Sequence, residues 1–223
     1  MERGENQIMS ATDRDRLYKA AALLLFGAVL IRTAWLTEDA FITFRTIDNF
    51  VHGYGLTWNV AERVQAYSNP LWMLLLIPFY WLSGEIVYTA MAVSMAVSAA
   101  AVLVLCARLP GASALLAVCI LVCSKAFVDY STSGLENPLT HLLLAVFYAV
   151  YHRSGPRTVL RLSLFAALGA VNRLDAMVFF GPSLAYALWQ RRSVATLLDC
   201  GLGMMPLALW LLFSLFYYGF PFP

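Results

Sequence analysis

Along the chain, apolar blocks alternate with short polar breaks, and one polar stretch is much longer than the others. The first apolar block covers 17–36, about 20 residues, enough for a helix to cross ~30 Å of hydrocarbon. Further blocks follow at 71–82, 86–106, 112–128, 139–151, 160–171, 177–189 and 194–218, and several are short for a full crossing. Polar breaks at 83–85, 108–111, 129–137, 152–157, 172–175 and 190–193 separate them. The pattern predicts an all-α chain with seven or eight spans. The alternating segments of about ten residues that a membrane β-barrel needs are absent.

The long polar stretch is 37–69, which carries Glu38, Asp39, Arg45, Asp48, His52, Glu62 and Arg63. Within it, Phe41, Phe44, Ile47 and Val51 recur at three- and four-residue spacing, with Ile42 and Phe50 at the flanks. Arg45, Asp48, Asn49 and His52 fall largely on the other side. That spacing predicts a short amphipathic helix lying on the membrane surface. Gly53-Tyr54-Gly55 is expected to end it, because glycine tolerates the left-handed backbone of a helix C-terminus. Asn69-Pro70 marks the start of the next helix, with Pro in its first turn.

Composition strengthens the membrane reading. Hydrophobic residues make up 61% of the 223, charged residues only 13%, and the mean hydropathy is +0.71. A soluble domain has about 25% charged residues and could not bury this apolar excess in one core. A net charge of +2 points to no nucleic-acid partner. Cys106, Cys119, Cys123 and Cys200 lie in or beside apolar runs with no zinc spacing, and read as small packing residues.

Charge also orients the chain. Arg14, Arg16 and Lys19 precede the first block and place a tail at 1–16 in the cytoplasm, so 37–69 falls on the outer face. Arg153, Arg157, Arg191 and Arg192 mark later cytoplasmic loops, which puts 129–137 and 172–175 on the outer face beside Asp39. Four blocks between Asn69 and His152 give the wrong parity for that arrangement, so one of them should not cross. The block at 71–82 is the best candidate, since about 12 residues span only ~18 Å as helix.

The candidate chemistry sits in the breaks. Glu38-Asp39 can supply a general base, hold a cation, or cap the following helix. Arg45, His52 and Arg63 can anchor to lipid headgroups or take a phosphate on a lipid-linked substrate. Glu136 lies before Asn137-Pro138, where Asn137 can serve as a cap. Arg173 and Asp175 form a charge pair between apolar blocks, and ionisable groups at such positions usually carry a function or a partner. His141, just inside a block, reads as a polar packing residue.

The ordered run Glu38-Asp39-Ala40-Phe41-Ile42-Thr43-Phe44-Arg45, Asn49-Phe50, Gly53-Tyr54-Gly55-Leu56-Thr57-Trp58-Asn59, Glu62-Arg63-Val64-Gln65 and Asn69-Pro70-Leu71-Trp72 resembles the first outer loop of GT-C fold glycosyltransferases. Ser133-Gly134-Leu135-Glu136, Asn172-Arg173-Leu174-Asp175 and Tyr218-Gly219-Phe220-Pro221 extend the match over essentially the whole chain. Within the fold it looks most like the actinobacterial terminal arabinofuranosyltransferases and the pilin arabinosyltransferases. The resemblance implies a single GT-C-type transmembrane domain over 17–223, with 37–69 as its catalytic loop and the C-terminal part of such enzymes absent.

It also implies an activity: transfer of a sugar, arabinofuranose favoured, from a polyprenyl phosphate to a cell-envelope glycan or protein, with inversion, at the outer face of the plasma membrane. Asp39 would be the base with Glu38 beside it, and Arg173 and Arg63 would steady the leaving phosphate. Many relatives have two aspartates where this chain has Glu38-Asp39, which favours Asp39. No cofactor is expected. A divalent metal on Asp39, Glu38 and Glu136 is the alternative. Two other functions compete: a non-catalytic homologue or partner subunit of a split enzyme, and a transporter of lipid-linked sugars. Polar residues gathered in loops on one face, not in broken helices at mid-bilayer, weigh against transport.

Overall fold

The computed structural model describes residues 10–153 and 155–223, and all regular structure among them is helical. Residues 1–9 of the expected tail lie outside the described residues. Helix α1 (Ala11–Thr33) begins well before the first apolar block, because Ser10 caps it: its Oγ accepts from the Asp13 N–H at 3.1 Å. Asp13, Arg14, Asp15 and Arg16, assigned to a tail at 1–16, are therefore helical, and α1 ends before Leu36.

Helix α2 (Ala40–Val51) follows, then α3 (Pro70–Ser83), α4 (Ile86–Cys106) and α5 (Gly111–Cys123). A short α6 (Lys125–Tyr130) precedes α7 (Asn137–Tyr151), α8 (Thr158–Asn172) and a 3-10 turn at Leu174–Ala176. The chain continues through α9 (Met177–Gln190), α10 (Val194–Gly203) and α11 (Met205–Tyr218).

Two apolar blocks are broken where continuous helices were expected. The 112–128 block splits at Ser124, whose backbone is extended and whose Oγ accepts from the Phe127 N–H to start α6. The 194–218 block bends by 48° between α10 and α11, where Pro206 in the first turn of α11 removes a backbone donor. On length and composition α4, with 21 residues and a mean hydropathy of 2.2, is the one helix among the described residues that can cross a membrane unaided; α10 and α11 qualify as a second span if taken together. α3, α5, α7 and α8 are apolar but shorter. By length and composition, one helix, or two counting the bent pair, qualifies as a crossing against the seven or eight spans expected.

Two buried clusters organise the packing. One gathers Phe44 and Ile47 of α2, Trp72, Met73 and Leu76 of α3, Phe147 of α7, Leu162 of α8 and Phe180 of α9. The other joins Ala22, Phe26 and Leu30 of α1 to Val102 of α4 and Val118 of α5. The expected short helix forms as α2, and its apolar residues divide between the protein interior and the exposed face. Phe44 and Ile47 are buried in the first cluster, while Phe41 and Phe50 stay exposed.

A buried polar hinge, Ser131 to Leu135, ties the clusters together. Ser98 donates to the Ser131 carbonyl, the Thr37 N–H to the Ser133 carbonyl, and the Trp72 indole to the Gly134 carbonyl at 2.8 Å. Gly134 has φ +81, and a Cβ there would stand 2.9 Å from the Ala40 Cβ. This contact holds the start of α2 against the start of α7.

Candidate active site

Four helix ends meet at one place. Asp39 is the N-cap of α2, Asn69 of α3 and Glu136 of α7, while Arg173 is the C-cap of α8. Asp39, Asn69, Glu136 and Arg173, with Thr43, Tyr67 and Ser68, line a cavity of about 220 Å³. The three N-termini bring positive dipole ends toward it, which favours an anion, while at α2 the Ala40, Phe41 and Ile42 N–H groups already donate to the Thr37, Glu38 and Asp39 carbonyls.

None of these three caps uses its side chain on its own helix. The capping alternative for Asp39 is therefore not how its carboxylate is engaged. Among the described residues that carboxylate has no ion pair and no hydrogen bond, and it faces the cavity while exposed to solvent. Glu136 is the opposite: its side chain is 3% exposed, Oε1 accepts from Arg173 Nη1 at 2.8 Å and Oε2 accepts from Asn69 Nδ2 at 2.9 Å. The Asn69 amide oxygen in turn accepts from Thr43 at 3.0 Å.

Arg173 is half exposed. Its Nε donates to Asp175 at 2.9 Å and 3.0 Å, which leaves Nη2 without a partner among the described residues. The hydrogen bond to Glu136, with Asp175 adding, pushes the guanidinium pKa further above its ordinary value against the opposing effect of burial. It is a fixed cation at any working pH. Asn172 sets the backbone behind it, donating to the Glu136 carbonyl at 3.0 Å and to Thr140 at 2.9 Å.

Arg173 also lines a second cavity, of about 500 Å³, with Asn137, Thr140, His141, Asp175 and an apolar wall of Leu144, Val178 and Phe179. Of the residues singled out in the sequence, Asp39, Glu136, Arg173 and Asp175 come together here. Glu38 is exposed and does not line either cavity.

Arg45 and His52 are engaged within the 37–69 loop, and Arg63 reaches the last helix. Arg45 donates to the Trp58 carbonyl at 3.0 Å and lies 4.4 Å over the Trp58 ring. His52 pairs with Asp48, its Nδ1 3.2 Å from Oδ1. Arg63 lies 5.4 Å over the Tyr217 ring. Among the described residues no group of three or more His, Cys, Asp and Glu side chains converges as metal ligands.

Sequence reasoning missed Asn69 and Thr43 as site residues. Both lie in the run that carries the resemblance, and Asn69 marks a helix boundary, but neither is given a site role by its own neighbourhood. It also missed how the last helix closes the loop. The Leu56 N–H donates to the Tyr217 hydroxyl at 3.2 Å, and the Tyr218 hydroxyl donates to the Leu56 carbonyl at 2.7 Å. Ser214 donates to Gln65 at 2.8 Å.

No protein-family model matches the chain, and no solved structure does. Among curated proteins it is similar to a terminal beta-(1->2)-arabinofuranosyltransferase of Mycobacterium tuberculosis, with 27% identity over 226 residues. The similarity covers 89% of this chain, and the chain spans about 35% of that relative's length.

Proposed function

We propose that the chain carries the general base and phosphate-binding residues of a membrane glycosyltransferase of GT-C type. Its donor is a polyprenyl-phosphate sugar, arabinofuranose favoured, and its acceptor is a hydroxyl of a cell-envelope glycan or protein at the outer face of the plasma membrane. The observation that carries this reading is the shared cavity: an unpaired carboxylate at Asp39 faces a carboxylate-anchored guanidinium at Arg173. The similarity to an arabinofuranosyltransferase supports the same class of reaction.

Asp39 accepts the proton of the acceptor hydroxyl. The acceptor oxygen then bonds to the anomeric carbon from the face opposite the phosphate, so the configuration inverts. The bond from that carbon to the phosphate oxygen breaks, and its electron pair stays on the departing polyprenyl phosphate. Arg173 offsets the charge that develops there, acting from a position already set by Glu136 and Asp175. A positioned base contributes about 10²–10⁴-fold.

The test is transfer of labelled sugar from a polyprenyl-phosphate donor by purified protein in nanodiscs, wild type beside Asp39→Asn. Turnover should fall by about 10²-fold or more while expression and thermal stability hold, because the Asp39 side chain is exposed and bonded to nothing among the described residues. Equal turnover in both proteins would remove Asp39 from the reaction.

A further inference from the structure

The turn between α9 and α10 gathers charge that the transfer chemistry does not use. α9 carries the chain away from the Arg173 cavity over 14 residues, about 20 Å as helix. At its end Arg191 and Arg192 are exposed, and among the described residues neither guanidinium has an ion pair or a hydrogen bond. Arg192 lies 5.6 Å over the ring of Trp189, which is itself 64% exposed. Between Asp175 and Pro223 the sequence holds one acid, Asp199. It falls on the half-buried side of α10 with Thr196, Cys200 and Gly203, and Gly203 packs on Ser163 of α8.

Both arginines line a cavity of about 370 Å³. Ser193 and Thr196 complete its polar wall, with their hydroxyls 2.8 Å apart. Whichever hydroxyl donates within this pair, the other keeps its proton for a ligand. The opposite wall is Leu188, Val194 and Leu197. From there an apolar stripe continues along α10. Val194, Leu197, Leu198 and Leu202 share one helix face by their three- and four-residue spacing, and they are 62–75% exposed. α10 and α11 taken together qualify as a span, and the turn lies at one end of that pair. Cations and a tryptophan at the head of an apolar stripe match the junction between lipid headgroups and acyl chains.

We propose that the turn between α9 and α10 binds an anionic phospholipid: Arg191, Arg192 and the Ser193–Thr196 hydroxyl pair hold its phosphodiester, and an acyl chain lies along Val194, Leu197, Leu198 and Leu202. Guanidinium forks suit phosphate oxygens. Charge selects the headgroup, since two cations with no acid beside them attract a net negative lipid and repel the ammonium of a zwitterionic one. The stripe selects lipid over free phosphate, which has nothing to lay on it. The site is separate from the transfer reaction and does not depend on it.

The experiment titrates lipid onto the full chain in detergent and reads bound lipid by native mass spectrometry. Its probes are phosphatidylglycerol, phosphatidylcholine with the same acyl chains, and inorganic phosphate as a competitor. Wild type should bind phosphatidylglycerol about tenfold more tightly than phosphatidylcholine. Arg191→Gln with Arg192→Gln should reduce that preference to about twofold or less. Arg14→Gln with Arg16→Gln removes the same charge from an exposed part of α1 and should leave the preference intact. Phosphatidylglycerol held at Arg173 counts equally in wild type and every variant, so it does not enter the difference.

Equal affinity of wild type for the two lipids overturns the proposal, as does a preference that survives the Arg191 and Arg192 changes. A preference lost as fully in the Arg14 and Arg16 variant would mark diffuse surface charge and also overturns it. Displacement of phosphatidylglycerol by an equal concentration of inorganic phosphate would make this a phosphate site without a lipid. If the Arg191 and Arg192 double variant does not fold, Arg192→Gln alone decides: a preference cut about threefold supports the site, and an unchanged one overturns it.

Discussion

Glu136 sets the character of the site at the level of single residues. A carboxylate with a side chain 3% exposed has lost its water, a cost of several kcal/mol unless it is paired and hydrogen-bonded. Both oxygens are satisfied, one by Arg173 and one by Asn69. Removing the cation leaves the charge buried alone, which typically costs 3–5 kcal/mol. Because Arg173 is half exposed, water recovers some of that loss, and Arg173→Met should lower unfolding stability by about 2 kcal/mol. Adding Glu136→Gln to Arg173→Met should regain most of it. Denaturant titration of the two variants in micelles measures the coupling, and a double variant no more stable than the single would show none. Asp39, Glu136 and Arg173 were legible in the sequence because charges at the edges of apolar blocks stand out. Asn69 was not, because its role depends on Thr43 and Glu136, which lie far from it along the chain.

At the level of elements, the site is a meeting of helix ends, and Gly134 governs how close they come. A side chain there would have its Cβ 2.7 Å from Leu36, 2.9 Å from Ala40 and 3.1 Å from Phe44, at a backbone φ of +81 that L residues rarely adopt. Gly134→Ala should therefore push α2 away from α7, cost about 2 kcal/mol or more, and cut turnover by moving Asp39 away from Arg173. Gly27→Ala in α1, where a Cβ meets nothing within 4 Å, should be neutral or slightly stabilising. Thermal melts and transfer assays on the pair check both. Hydrophobic period predicted that α2 exists. It did not show that Phe44 and Ile47 pack into protein while Phe41 and Phe50 remain outside, because lipid and protein interior reward the same apolar residues. The breaks at Ser124 and Met204 lie inside blocks read as single apolar runs, although Ser124-Lys125 and Pro206 mark them locally.

At the level of the whole molecule, the last helix folds back on the loop that carries the first acidic pair. Tyr67 is the link: its hydroxyl is 2.8 Å from that of Tyr218, and its ring lies against Trp210. Burial first, and the Tyr218 hydrogen bond second, raise the Tyr67 pKa above its ordinary value of 10.0. The unfolded chain thus releases this proton near pH 10 while the folded chain keeps it. The stability Tyr67 contributes is full below about pH 10 and falls as pH rises beyond it. Tyr67→Phe should cost about 1 kcal/mol at neutral pH through the lost hydrogen bond, and its stability should decline less steeply above pH 10. Melting curves of both proteins from pH 7 to 11 test this; parallel declines would show that Tyr67 does not titrate with unfolding. By itself the sequence determined that the chain is helical, rich in apolar blocks, and has its charge concentrated in breaks, because period and composition are local properties of the chain. Only the tertiary structure decided that Asp39, Asn69, Glu136 and Arg173 share one cavity while Arg45 and His52 are engaged within the loop and Arg63 lies over Tyr217 of α11. That choice depends on which helix ends pack together, and contacts between distant segments are set by the fit of buried surfaces, not by the spacing of residues within any one of them.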